Sequence, residues 1–117
     1  MDVLSATVGL PVSDLSRAVE WYRRVLELGE PDLEPVEGVV EFLVGPIWLQ
    51  LGTDPTARSG AEVVTRFGVA DAGRERQRLE GLGVVVGPLE HVPGAVDYFD
   101  FADADGNVLS MYSEVAE

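Results

Sequence analysis

Three observations predict an α+β fold built from two tandem βαβββ modules. The first is a recurrence: Leu10-Pro-Val-Ser-Asp14 opens a helical run that closes at Gly29, and Phe67-Gly-Val-Ala-Asp71 opens another that closes at Gly83. The second is order, since each helical run follows an alternating segment and precedes several short apolar runs. The third is size: 117 residues suit one domain and are too few for two independent cores. One pseudo-symmetric domain over 1–117 follows, with repeat copies at about 1–55 and 61–117. Apolar residues facing each helix must be buried beneath it. The opposite faces of two sheets side by side then make a cup-shaped mixed sheet, with the helices on its convex side and a ligand expected where the copies meet.

The elements follow in order along the chain. Residues 4 to 12 alternate as a strand, with Val8, Leu10 and Val12 on one face and Ser5, Thr7 and Gly9 on the other. Asp14 is an N-cap, because its short carboxylate can accept from the first free amides of a helix. Leu15, Val19, Tyr22 and Leu26 continue at helical spacing, and Gly29 is the expected stop. Pro31 and Pro35 punctuate a loop or a short edge strand. Val39 to Val44 and Ile47 to Leu51 are apolar runs joined by Gly45-Pro46, which predicts a hairpin. Thr53 to Gly60 is polar and separates the copies. The second copy starts with a strand at 62 to 69 and a helix from 72 to about 82, whose apolar anchors are Leu79 and Leu82. Strands near 84 to 87, 96 to 102 and 107 to 113 complete it, the last two joined by Asp103-Ala-Asp-Gly-Asn107, strong turn chemistry.

Composition narrows the function. The chain is 46% hydrophobic and 25% charged, the balance of a soluble globular protein. A net charge of −13 repels nucleic acid and anionic lipid, so neither is an expected partner, and it attracts cationic ligands. The absence of cysteine excludes disulfides, thiolate metal sites and cysteine nucleophiles. Met1-Asp-Val-Leu-Ser lacks a basic segment followed by an apolar core, so no secretory signal is expected there. No apolar run approaches the roughly 20 residues that cross a bilayer. The cytoplasm is the expected compartment, with no membrane association.

Several of these segments together resemble the vicinal oxygen chelate superfamily, which includes glyoxalase I, bleomycin-resistance proteins and extradiol dioxygenases. They are Val8-Gly-Leu-Pro-Val-Ser-Asp-Leu15, Trp21-Tyr22 with Leu26 and Gly29, Phe67-Gly-Val-Ala-Asp71, Leu79 through Gly83, and Phe101-Ala-Asp-Ala-Asp-Gly-Asn107. The last matches the family's Asp-Pro-Asp-Gly-Asn turn except that Ala104 replaces the proline. The resemblance implies four metal-ligand positions inside the cup, held in metal-dependent members by His, Glu or Gln. Two lie seven residues before the Asp that starts each helix, and here they hold Thr7 and Val64. The others fall at Gln50, within Trp48-Leu-Gln-Leu51, and at Ser110, three residues past the Gly-Asn turn. Only Gln50 is of a ligand type. One amide and two hydroxyls hold a divalent ion poorly, and a valine not at all, so no metal and no cofactor are expected.

Strand parity places Thr7, Trp48, Gln50, Val64, Arg66, Ser110 and Tyr112 on the pocket side. Aromatic walls with a few polar groups are what a small-molecule site contains. Trp48 and Tyr112 are placed to stack on a planar or cationic ligand, Gln50 and Ser110 to hydrogen-bond it, and Arg66 to pair with a carboxylate or phosphate. Core packing competes for the aromatics, and an internal ion pair competes for Arg66. His91, the one histidine, lies in Glu90-His-Val-Pro-Gly94, expected as a solvent-facing loop at the rim and a weak candidate general base. Alternation puts Asp97 and Asp100 on opposite faces, against a paired acid–base site. The expected function is therefore metal-independent binding of a small organic ligand, a drug or metabolite. The resemblance to bleomycin-resistance proteins implies sequestration, as in antibiotic resistance, by a homodimer. The alternative is a glyoxalase- or dioxygenase-like enzyme (lyase, isomerase or oxygenase) with an atypical metal site or metal-free acid–base chemistry.

Overall fold

A computed structural model describes residues 1–55 and 64–115. The chain divides into two compact units, Met1–Arg58 and Ser59–Glu117. Each is a four-stranded sheet with one helix, so the fold is α+β with two tandem modules, as the recurrence predicts.

In the first unit β1 (Thr7–Val12) leads through Asp14 into α1 (Leu15–Val25), followed by β2 (Leu33–Val36), β3 (Val39–Val44) and β4 (Ile47–Thr53). The sheet order is β1-β4-β3-β2, with β1 parallel to β4 and the remaining pairs antiparallel. Leu10, Val12, Val40, Phe42, Leu49 and Leu51 are buried on one face, with Tyr22 and Val25 of α1. Burying each such apolar side chain stabilises the unit by about 1.5–3 kcal/mol. Asp14 caps α1 by accepting from the Arg17 amide at 3.2 Å.

The helix ends earlier than Gly29. Glu27 takes the left-handed conformation (φ 56°), and the Leu28 amide donates to the Arg23 carbonyl at 2.9 Å, closing a Schellman turn on a non-glycine residue. β1 also starts later than residue 4. Its partner β4 begins just after the Gly45-Pro46 turn, so Thr7 opposite Trp48 is where the ladder starts, with Ala6 only accepting from the Trp48 amide at 2.8 Å.

The second unit repeats the plan with β5 (Val64–Gly68), α2 (Ala72–Gly81), β6 (Glu90–Val92), β7 (Val96–Ala102) and β8 (Val108–Glu114), in sheet order β5-β8-β7-β6. The start of the strand expected at 62 lies outside the described residues. Phe99, Phe101, Leu109 and Met111 are buried with Ala72 and Leu79 of α2. The Ala72 amide donates to Ser113 Oγ at 2.9 Å, pinning the start of α2 to β8. Gly83 (φ 86°) closes α2 as expected, with Val84 N–H donating to the Leu79 carbonyl at 3.0 Å.

The strand expected at 84 to 87 is only a single bridge, Val86 to Phe101. Gly87 there lies so close to β7 that an added Cβ would stand 3.0 Å from the Asp100 carbonyl oxygen, and Pro88 has no amide to continue a ladder. The fourth strand is β6 instead, in the segment expected as a loop, and it carries His91.

Asp71 caps α2 by accepting from the Arg74 amide at 3.1 Å. α2 has only Ala72 and Leu79 fully buried, so its first turn leans on this cap. Asp71→Ala is expected to cost about 1 kcal/mol in urea denaturation. A change below about 0.3 kcal/mol would show that the Ser113 bond alone holds the helix start.

Candidate functional site

In each sheet the face opposite the helix carries Thr7, Trp48 and Gln50 in the first unit and Val64, Arg66, Ser110 and Tyr112 in the second. Strand pairing sets them in transverse rows. In the first unit Thr7, Trp48 and Leu43 form one row, and Gly9, Gln50 and Glu41 the next. Gln50 Nε2 donates to Glu41 Oε2 at 2.7 Å. A Cβ added at Gly9 would lie 3.3 Å from Gln50 Oε1, so the amide reaches across β1 at the one position without a side chain.

The second unit presents the equivalent rows. Arg66, Ser110 and Asp100 form one; Gly68, Tyr112 and Tyr98 form the other. Arg66 Nη1 donates to Ser110 Oγ at 3.0 Å, and Ser110 Oγ donates to the Phe99 carbonyl at 3.1 Å. Ser110 is fully buried, so the hydroxyl is fixed and holds the guanidinium from below. Asp100 Oδ1 stands 3.6 Å from Arg66 Nη1, a charge pair longer than a hydrogen bond, and this buried oxygen has no hydrogen-bond partner. The Arg66 guanidinium carbon lies 5.7 Å from the centre of the Tyr98 ring. Tyr112 lies over Gly68, where an added Cβ would meet its hydroxyl at 3.0 Å. Arg66 itself is 50% exposed, which leaves guanidinium edges facing solvent. The row can therefore offer a fixed cation beside two aromatic rings to an incoming anion.

Val64 stands level with Val108 and brings no donor atom. His91 is not in a loop: it sits on β6 opposite Asp97, with Nδ1 2.6 Å from Asp97 Oδ1. Asp97 and Asp100 do fall on opposite faces of β7, so the His91–Asp97 pair and the Arg66 row are on different sides of the sheet. The sequence pattern does not point to Glu41 or Tyr98, and it concerns Asp100 only in relation to Asp97. The signal for Glu41 lay in the hairpin: a turn at Gly45-Pro46 sets Val44 opposite Ile47 and so Glu41 opposite Gln50.

A family model described as Glyoxalase/Bleomycin resistance protein/Dioxygenase superfamily matches residues 5–111. The chain belongs to this superfamily. Superfamily structures agree in fold at low identity. The fosfomycin resistance protein FosX from Listeria monocytogenes is 18% identical, with a TM-score of 0.82 over 98% of this chain and 95% of that one. A putative glyoxalase family protein from Bacillus anthracis, also 18% identical, has a TM-score of 0.83 with 98% of each chain covered. Lactoylglutathione lyase from Agrobacterium tumefaciens is 22% identical, with a TM-score of 0.75 over 92% and 91%. A search of curated proteins gave no significant match. Within the described residues no three His, Cys, Asp or Glu side chains converge as a metal-holding group, and no helix is long and apolar enough to cross a membrane.

Proposed function

We propose that this member of the superfamily binds a small organic molecule carrying an anionic group, a drug or metabolite, without a metal ion. The observation that carries the proposal is the Arg66–Ser110 contact at 3.0 Å. At a position where metal-dependent relatives are expected to present a ligand, this chain sets a hydroxyl that already accepts from a guanidinium. In the second unit a divalent cation beside Ser110 meets the fixed positive charge of Arg66 and a valine at Val64, and that donor set does not fit it. A carboxylate or phosphonate fits. It exchanges with Asp100 for the exposed edge of Arg66, while its organic body rests on Tyr98 and Tyr112. Trp48 and the Gln50–Glu41 pair offer a second polar–aromatic surface in the first unit.

The enzyme alternative draws on the His91–Asp97 pair, whose 2.6 Å contact would fix the imidazole tautomer as acid–base chemistry requires. Its place on the other side of β7 from the Arg66 row favours binding over catalysis. We further infer a cytoplasmic homodimer that avoids nucleic acid, from the charge of −13 and the family resemblance.

The test is calorimetric titration of chelator-treated protein with phenylphosphonate, beside metal analysis of untreated protein. Saturable binding in the chelated sample is expected. Stoichiometric Zn, Ni, Mn or Fe, lost on chelation together with an enzymatic activity, would overturn the proposal.

A further inference from the structure

The first unit also has a trough on the helix side of its sheet, away from Trp48 and Gln50. Its volume is about 550 Å³, within the roughly 300–1,000 Å³ of small-molecule pockets. Leu15 and Val19 of α1 form one wall, the Leu33–Glu34 backbone of β2 the other, and Val40 of β3 the floor. It stays open because the β2–β3 register shifts between Leu33 and Val36, leaving only two residue pairs to hold β2.

The rim has one sign of charge. Glu20, Glu30, Asp32 and Glu34 line the trough, and no basic residue does. Arg23 engages Glu20 at 3.6 Å and Glu30 at 3.1 Å from outside the lining. Asp32 uses Oδ2 to accept from the Leu43 amide at 2.8 Å, which fixes it at the mouth. Glu34 has no ion pair among the described residues. These carboxylates do not converge as a metal-holding group. A small ion would find its ligands too dispersed. A diffuse organic cation does not need them to converge, only to surround its head while its body displaces water from Leu15, Val19 and Val40.

We infer that this trough binds an organic cation with an apolar body, an amine bearing an aromatic or aliphatic group. The ligand lies with its body on Val40 between helix and edge strand, and its ammonium toward Glu34 and Asp32. The site is built from other residues than the Arg66 row and prefers the opposite charge, so each stands or falls without the other.

The test titrates the full chain with 4-phenylbutylamine, followed by amide chemical shifts and calorimetry. Saturable binding is expected, with shifts centred on Val19, Leu33 and Val40. Glu34→Gln is expected to weaken it about threefold and Glu34→Lys at least tenfold, both at an exposed edge position that leaves the core intact, while Arg66→Met leaves it unchanged. Putrescine, which has the charge without the apolar body, and 4-phenylbutyrate, which has the body with the wrong charge, are expected not to saturate. Binding that survives Glu34→Lys, putrescine binding as tightly as the amine, or a basic amphipathic peptide binding where the amine does not would each overturn the assignment.

Discussion

Phe99→Ala is expected to lower the unfolding free energy by about 3–5 kcal/mol. Phe99 is fully buried beneath α2, and its ring stacks on Phe101 with centres 5.7 Å apart. Truncation removes the transfer energy of the ring. It also leaves a cavity that cannot collapse easily, because β7 is held on both sides by β8 and β6. The substitution keeps the carbonyl that accepts from Ser110 Oγ, so the support of Arg66 is retained in whatever fraction stays folded. Urea denaturation followed by circular dichroism measures the loss, and titration of the folded protein below the transition should give an unchanged affinity for phenylphosphonate. A loss below about 1 kcal/mol would mean that the second unit does not depend on this ring for its core.

Arg66→Met is expected to weaken phenylphosphonate binding by roughly 10–30-fold, since truncating one partner of a hydrogen-bonded charge pair costs about 2 kcal/mol or more and the half-exposed guanidinium sits at the low end. Methionine keeps most of the apolar stem, which separates lost charge from lost packing. Asp100→Asn is expected to act in the opposite direction. It removes the carboxylate that competes for Arg66 at 3.6 Å, and tightens binding roughly two- to fivefold, the scale of an exposed ion pair. Calorimetry on the two variants reads both signs. If Asp100→Asn weakens binding as Arg66→Met does, the carboxylate belongs to the ligand contact and the exchange of anions is wrong.

The module plan and the open-face residues were legible because they rest on strand parity, and a buried face leaves parity little freedom. Leu10 and Val12 fix where Thr7 and Gly9 point, and Leu109 and Met111 do the same for Ser110 and Tyr112. Features set by cross-strand register were harder to see. Glu41 meets Gln50 only once the hairpin register is set, and Asp100 meets Arg66 only after β5, β8 and β7 are aligned, β5 being distant in sequence. The end of α1 was misplaced because glycine is the usual left-handed residue and Glu27 takes that conformation instead. His91 was misplaced because Pro88 and Gly94 bracket a segment whose pairing with β7 owes nothing to local propensity.

Gly9 stands in β1 where Arg66 stands in β5, each five positions before the aspartate that caps its helix. The nearest atom to an added Cβ at Gly9 is the tip of Gln50, a movable group rather than backbone. An arginine grafted there would meet an amide and a carboxylate across the same two strands, reproducing the arrangement of the sister module. Because these rows lie on the side of the sheet away from its helix, internal duplication gives this protein a second template whose recognition chemistry can diverge while the helix-side core is kept.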